Sequence, residues 1–244
     1  MRRDFQRIYA RQEYLTPGAA ATVEIIGETV RPDERTWLLD MASGKGEAAA
    51  TLASHYGCRI VAVDLYDPFI QYAAAKFWHF NLRDLVTVVR ATGSALPVRD
   101  GAVDAAYCVG GPSIVGMEPA LRELARVTRS GGRVVVSDIA WRTKSAERLG
   151  PDWRWMADVE QVSSEEYSAR IEAAGLTLER THLHPTSDWE DYLAPMLQVA
   201  AEARTGAAVD HFFADEVEST VALERRAVEM YLDYVTFVAR KPEM

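Results

Sequence analysis

Apolar and polar positions in this chain follow two alternating rhythms. Short apolar runs bounded by glycine or charge read as buried strands: Trp37 to Met41, Cys58 to Asp64, Val86 to Arg90, Val103 to Val109 and Arg133 to Ile139. Stretches with helical spacing fall between them, at Glu47 to His55, Pro68 to Phe80 and Glu118 to Thr128. Strands that alternate with helices this way form a parallel sheet covered on both faces by its crossovers.

The remainder of the chain predicts two flanking parts. Before the first strand, Met1 to Arg11 reads as a short surface helix with Phe5, Ile8 and Tyr9 on its buried stripe, and Thr16-Pro17 opens a helix that runs to about Val30. After the fifth strand, Ser163-Ser164-Glu165-Glu166 fits a capping box, and Leu176 to His184 and Tyr231 to Ala239 read as strands six and seven. Residues 186–228 carry helical spacing, with Ser187-x-x-Glu190 a candidate cap, Trp189, Tyr192, Leu193, Met196 and Leu197 on one face, and Pro195 expected to kink the helix. Val217, Val221 and Val228 mark a second helix. No repeat or linker divides the chain. The expected organisation is one domain, with residues 1–32 an N-terminal helical segment, 33–185 and 229–244 the core, and 186–228 a helical cap.

Charge and cysteine content narrow the partners. Twenty-seven basic residues against 36 acidic give a net charge of −9, which argues against a general nucleic-acid binder. The cysteines, Cys58 and Cys108, sit in apolar runs and cannot build a disulfide framework. The longest uncharged apolar stretch, Ala105 to Met117, is too short for a bilayer and contains Gly and Pro. The basic N-terminus lacks the apolar centre of a secretory signal. A cytoplasmic protein with a small-molecule substrate, no membrane or nucleic-acid partner, and a monomeric or homodimeric state is the expectation.

The chemistry concentrates in Leu38-Leu39-Asp40-Met41-Ala42-Ser43-Gly44-Lys45-Gly46-Glu47, which follows a strand and opens a helix. Small residues at 42, 44 and 46 let a ligand approach the backbone, and the helix N-terminus behind them favours an anion. Asp64, at the end of the second strand, stands where an acid accepts hydrogen bonds from ribose hydroxyls. Two cofactors fit. Gly44-x-Gly46-x-x-Ala49 matches the dinucleotide fingerprint. Asp40-x-Ala42-x-Gly44-x-Gly46 is similar to the glycine motif of class I S-adenosylmethionine (SAM)-dependent methyltransferases, with Ala42 at the first glycine. A pyrophosphate would not welcome Asp40.

Two further stretches favour the second likeness. Ala91-Thr92-Gly93-Ser94-Ala95-Leu96-Pro97-Val98-Arg99-Asp100-Gly101 resembles the family's G-D-A-x-x-L-P-F-x-D-G, with Ser94 in place of its acid. Leu121-x-Glu123-x-x-Arg126-Val127-x-x-x-Gly131-Gly132 looks like the family's turn before strand five. From Trp37 to Asp138 the chain thus resembles the small-molecule, type 11 methyltransferases of class I. The resemblance implies a doubly wound α/β fold with seven strands in the order 3-2-1-4-5-7-6, the last antiparallel. It implies SAM as cofactor and S-adenosylhomocysteine as product, held by Asp40, Met41, Ala42, Gly44, Gly46, Asp64, Leu65, Ser94, Ala95 and Val109. Ala42 replaces glycine without cost if its φ is negative. An NAD-linked oxidoreductase and a SAM-binding module without turnover remain the alternatives. Tyr72-x-x-x-Lys76 matches the pair of short-chain dehydrogenases but lies too early in the chain for that role.

Substrate groups should gather beyond the carboxyl ends of the strands. Tyr14, Gly110, Trp141, Trp153 and Trp189 are the candidates for the acceptor wall. His184 and Tyr14 are weak candidates for a general base. No metal site is expected, since His182 and His184 lack a third ligand. Segment 186–228 holds nine acids against three arginines, which could steer a cationic amine.

Overall fold

Strands buried on both faces need apolar side chains at successive positions, and the computed structural model shows where each one goes. It describes residues 3–142, 160–205 and 209–243. The elements run α1 (Arg3–Arg11), α2 (Ala19–Val30), β1 (Trp37–Met41), α3 (Glu47–Tyr56), β2 (Arg59–Asp64), α4 (Asp67–His79), β3 (Val86–Arg90), β4 (Val103–Val109), α5 (Pro112–Val115), α6 (Met117–Val127) and β5 (Thr128–Trp141). They continue with α7 (Ser164–Ala173), β6 (Thr177–Leu183), α8 (Thr186–Thr205), α9 (His211–Met230) and β7 (Leu232–Arg240).

The seven strands form one sheet in the order β3-β2-β1-β4-β5-β7-β6. β7 pairs antiparallel with both neighbours, and the other pairings are parallel. This is the order the resemblance implied. Because side chains alternate across a strand, each strand feeds two cores. Leu38, Ala105, Tyr107 and Val135 join one face with Val23 and Ile26 of α2, Leu52 of α3 and Phe77 of α4. Leu39, Met41, Ala106, Cys108, Val134 and Val136 join the other with Leu121 and Leu124 of α6 and Tyr167 of α7. The chain adds β2 and β3 on one side of β1 and β4 and β5 on the other, so the crevice for a ligand opens between β1 and β4, over Met41, Asp64 and Val109.

Helices α8 and α9 fill the connection between β6 and β7 and share an apolar cluster that includes Ile8 of α1. Arg7 pairs with Asp210 and Arg11 with Glu202, so α1 is tied to this helical pair by charge as well. Among the described residues no helix is long and apolar enough to cross a membrane.

Several local expectations need correction. β5 extends to Trp141, which therefore ends a strand rather than entering a loop. A short helix, α5, follows Gly111, where no periodicity could announce four residues. α8 starts at Thr186, before the serine expected to cap it, and continues through Pro195. Phe5's side chain, and Trp153 and Trp155, fall outside the residues described.

The capping box at α7 forms as its sequence specifies. Ser163 Oγ accepts the Glu166 N–H, and Glu166 Oε2 accepts the Ser163 N–H. Ser163→Ala removes one of these bonds and should cost about 0.5–2 kcal/mol of stability in urea unfolding.

Candidate active site

The site grows from the turn after β1. Gly44 and Gly46 take positive φ values of 54° and 76°, as a tight turn into a helix requires. Ala42 also has a positive φ, 54°, so its methyl group is held in a region that L residues avoid. The negative φ under which Ala42 would cost nothing is not the one adopted. A Cβ at Gly46 would lie 2.5 Å from the Phe77 ring, so α4 itself closes off any side chain there.

Asp64 holds this turn in place. Its Oδ2 accepts the Gly44 N–H at 2.8 Å and its Oδ1 accepts the Tyr66 N–H at 2.9 Å. Burial raises its pKa, and these backbone donors pull back against that rise. Asp40 is fully enclosed at the end of β1, and burial pushes its carboxyl well above the usual range. The Tyr107 hydroxyl opposes that rise, yet Asp40 Oδ2 makes no hydrogen bond. Ser43 Oγ is likewise buried without a partner.

These residues frame a cavity of about 400 Å³. Ala42, Ser43, Gly44, Asp64, Leu65 and Val109 stand on its wall. Asp40, Met41 and Gly46 lie in the structure beneath it. On the third side the wall is Thr92 and Gly93, whereas Ser94 and Ala95 are exposed outside it. Ser94 instead bonds the Thr92 hydroxyl at 2.8 Å. Tyr9, Tyr14, Leu15 and Thr16 close the mouth from the N-terminal segment. Lys45 fastens that segment. Its Nζ donates to the carbonyls of Tyr9 at 2.7 Å and Gln12 at 2.5 Å, just where α1 ends.

A second cavity of about 190 Å³ adjoins the first and shares Leu15, Thr16, Gly110 and Ile114 with it. Trp141, Trp189, Tyr192, Met117, Ile139 and Leu232 make most of its wall apolar. Among the described residues three carboxylates reach it: Asp138, Glu160 and Glu224. Asp138 is saturated. It accepts from Ser113 N at 2.7 Å, Ser113 Oγ at 3.0 Å, Ile139 N at 2.9 Å and Tyr167 Oη at 3.1 Å. Those bonds anchor α5, which carries Ile114 between the cavities. Glu160 pairs with Arg170.

Of the weak candidates for a base, Tyr14 does reach the cofactor cavity, with its hydroxyl 3.4 Å from Thr51 Oγ1. His184 lies away from both cavities. Its side chain is wholly enclosed, with Nδ1 2.8 Å from Asp188 and Nε2 2.8 Å from Thr236. It packs under Gly18, where a Cβ would meet Nδ1 at 2.4 Å. This histidine joins β6, β7 and α2 and is on neither cavity wall. The acidic segment is also less of a lure for cations than its composition suggests. Asp188, Glu190, Glu202, Asp210, Asp215 and Glu218 are each paired with a basic residue. Glu224 is the residue that reading by composition missed. It continues the inward stripe Val217, Val221, Ala227 and Val228, so an acid at an apolar heptad-like position was the available signal.

Comparison with known proteins agrees with this geometry. Residues 39–136 match the family described as "Methyltransferase domain". The 27-O-demethylrifamycin SV methyltransferase of Amycolatopsis mediterranei is 28% identical over 219 residues, covering 84% of this chain and 77% of that protein. The sarcosine/dimethylglycine N-methyltransferase of Halorhodospira halochloris is 30% identical over 134 residues, so the chain spans only 46% of its length. Among solved structures, a SAM-dependent methyltransferase from Geobacter sulfurreducens in complex with S-adenosyl-L-homocysteine superposes with a TM-score of 0.79 at 22% identity, covering 98% of both chains. Residues 39–136 thus carry a methyltransferase domain, set in a sheet order and fold shared with solved SAM-dependent methyltransferases.

Lys45→Met should release α1 from the glycine turn. Amide exchange of residues 10–15 should then rise at least tenfold, the equivalent of about 1.4 kcal/mol, well within two lost charge-assisted bonds.

Proposed function

We propose that the larger cavity holds SAM and the smaller one a small-molecule methyl acceptor, with the shared rim at Leu15, Thr16, Gly110 and Ile114 marking where the two meet. The observation that carries this is the pair of adjoining cavities at the carboxyl ends of β1, β2 and β4, one walled by glycine turn and acid, the other by aromatic rings. Ser43 Oγ, buried and unpartnered on the wall of the larger cavity, suits the polar amino-acid end of SAM. α3 starts without a side-chain cap, so the N–H groups of its first turn suit a carboxylate. Asp64 takes the ribose hydroxyls on its remaining lone pairs, and Leu65, Thr92 and Val109 flank the rest. Asp40 and Met41 act from below, by shaping the turn.

When bound, SAM supplies an already activated methyl group on a sulfonium. The protein therefore aligns the acceptor and excludes water, effects that can lower the barrier by about 7–11 kcal/mol. Trp141 and Trp189 clamp the acceptor, while the N-terminal segment with Tyr14 closes over the cofactor. Residues 1–244 act as one domain in this reading, with 186–228 as its cap. The net charge of −9 sits poorly with a nucleic-acid acceptor and well with a metabolite in the cytoplasm.

Asp64→Ala should weaken SAM binding in calorimetry by about 1.5–3 kcal/mol, or roughly 10- to 150-fold. Affinity of the unaltered protein should also fall on acidification. Protonation removes the acceptor that the ribose needs, and because burial raises the pKa of Asp64, the loss begins at a higher pH than for an ordinary aspartate. Unchanged binding in the variant would remove the ribose assignment. Tight binding of NADH in place of SAM would remove the whole reading.

A further inference from the structure

Glu224 stands apart from the other acids of the cap. It is on the inward stripe of α9, three residues after Val221 and three before Ala227, both buried. It shares the wall of the acceptor cavity with Leu15, Trp141, Trp189, Tyr192 and Leu232, and with two other acids. Of the three carboxylates on that wall, Asp138 is saturated by four donors and Glu160 is paired with Arg170. Glu224 has no hydrogen-bond or ion-pair partner among the described residues. It acts electrostatically on Tyr9, which lines the cofactor cavity, and on Tyr192, which lines the acceptor cavity. It is therefore within electrostatic reach of a residue on each cavity wall.

Resting on the two-cavity reading above, we propose that Glu224 is the general base of the reaction and that the acceptor is a compact, neutral ring compound carrying an ionisable hydroxyl group. The acceptor's O–H bond breaks and its proton passes to the Glu224 carboxylate. The oxygen's electron pair forms the new O–CH₃ bond as the S–CH₃ bond breaks, and that bond's electron pair stays on sulfur. S-adenosylhomocysteine, the methyl ether and a protonated Glu224 result, and solvent later takes the proton.

The chemistry of the wall sets the acceptor class. Among the described residues of that wall, a carboxylate or phosphate substrate would face three acids and no basic side chain. An ammonium group needs several acceptors, and Glu224 is the one carboxylate with none of its capacity used. A cavity of about 190 Å³ is smaller than the ~300 Å³ that drug-sized ligands need, so it suits one or two rings. Rings between Trp141 and Trp189 would be held by offset or edge contacts.

The surrounding groups suit a base that works near neutrality. Burial alone pushes the Glu224 carboxyl up to about 7. The titratable groups facing it are Tyr9 from α1, Asp138 from β5, Glu160 before α7 and Tyr192 from α8. Of the cations nearby, Arg225 on the same helix pairs with Glu190, Arg226 is exposed, and Arg142 after β5 is spent on the Val228 carbonyl and Asp233.

The test uses the full chain, labelled SAM and a panel of naphthols with their amino counterparts. SAM binding by calorimetry, run first, should be equal in the unaltered protein and in Glu224→Gln. Absent SAM binding in the unaltered protein would overturn the two-cavity reading itself, independently of Glu224. With SAM bound, at least one naphthol should be methylated, with kcat rising through pH 7 to a plateau. Glu224→Gln should lower kcat by 100-fold or more with little change in KM and abolish the pH rise, and Glu224→Asp should recover part of it. Difference infrared spectra should show a carboxyl band titrating near pH 7 that Glu224→Gln removes. Methylation of amines alone, or of no panel member, overturns the acceptor class. A Glu224→Gln kcat within threefold of the unaltered protein, or no band near neutrality, overturns the base.

Discussion

The hydrogen bond between the Gly44 N–H and Asp64 Oδ2 joins the ends of two neighbouring strands and fixes the mouth of the cofactor cavity. Backbone bonds from Ser43 N–H to the Val63 carbonyl and from Gly46 N–H to the Ser43 carbonyl also hold the turn, and Asp64 adds the side-chain anchor at the left-handed Gly44. Burying the Asp64 carboxylate is unfavourable, and its raised pKa records that. Backbone donors from Gly44 and Tyr66 offset the cost and at the same time define where the next donors, those of a ribose, can approach. One side chain thus serves the fold and the ligand together. Asp138 does the same on the other side of the switch point, where it anchors α5 and so sets the partition between the two cavities.

From these two carboxylates the rest of the site follows by packing. α1 is drawn down at one end by Lys45, which reaches its last carbonyls, and held from above by the ion pairs of Arg7 and Arg11 to the cap. The N-terminal segment therefore bridges the glycine turn and the helices α8 and α9. Any movement that opens the cofactor mouth must break charge-assisted bonds on one side or the other, a coupling between cofactor entry and cap position built from local interactions.

Much of this was legible in the residues themselves. The strand runs, the glycine turn, the acid ending β2 and the Ser163 capping box each carry a local signal, and sheet order followed from resemblance across Trp37 to Asp138. What escaped was set by tertiary contact. Nothing in its own neighbourhood tells that His184 will be locked against Thr236, or that Ser94 will turn outward while Thr92 faces the cavity. The positive φ of Ala42 is imposed by the turn around it. Glu224 was hidden differently. Counting acids across residues 186–228 treated them as one solvated group, whereas the helical phase sets this one against the apolar stripe. Six others are paired with arginines or, for Asp188, with a histidine one helical turn away, which composition cannot show.

The account depends on a sulfonium donor lying in the crevice between β1 and β4 with its sugar on the acid that ends β2. A crystal structure of the protein grown with S-adenosylhomocysteine examines this most directly. The account requires both ribose hydroxyls within hydrogen-bonding distance of Asp64, the amino-acid tail at Ser43 and the α3 N-terminus, and sulfur facing the rim at Gly110. A ligand seated elsewhere, or a crevice that stays empty under saturating ligand, would contradict it.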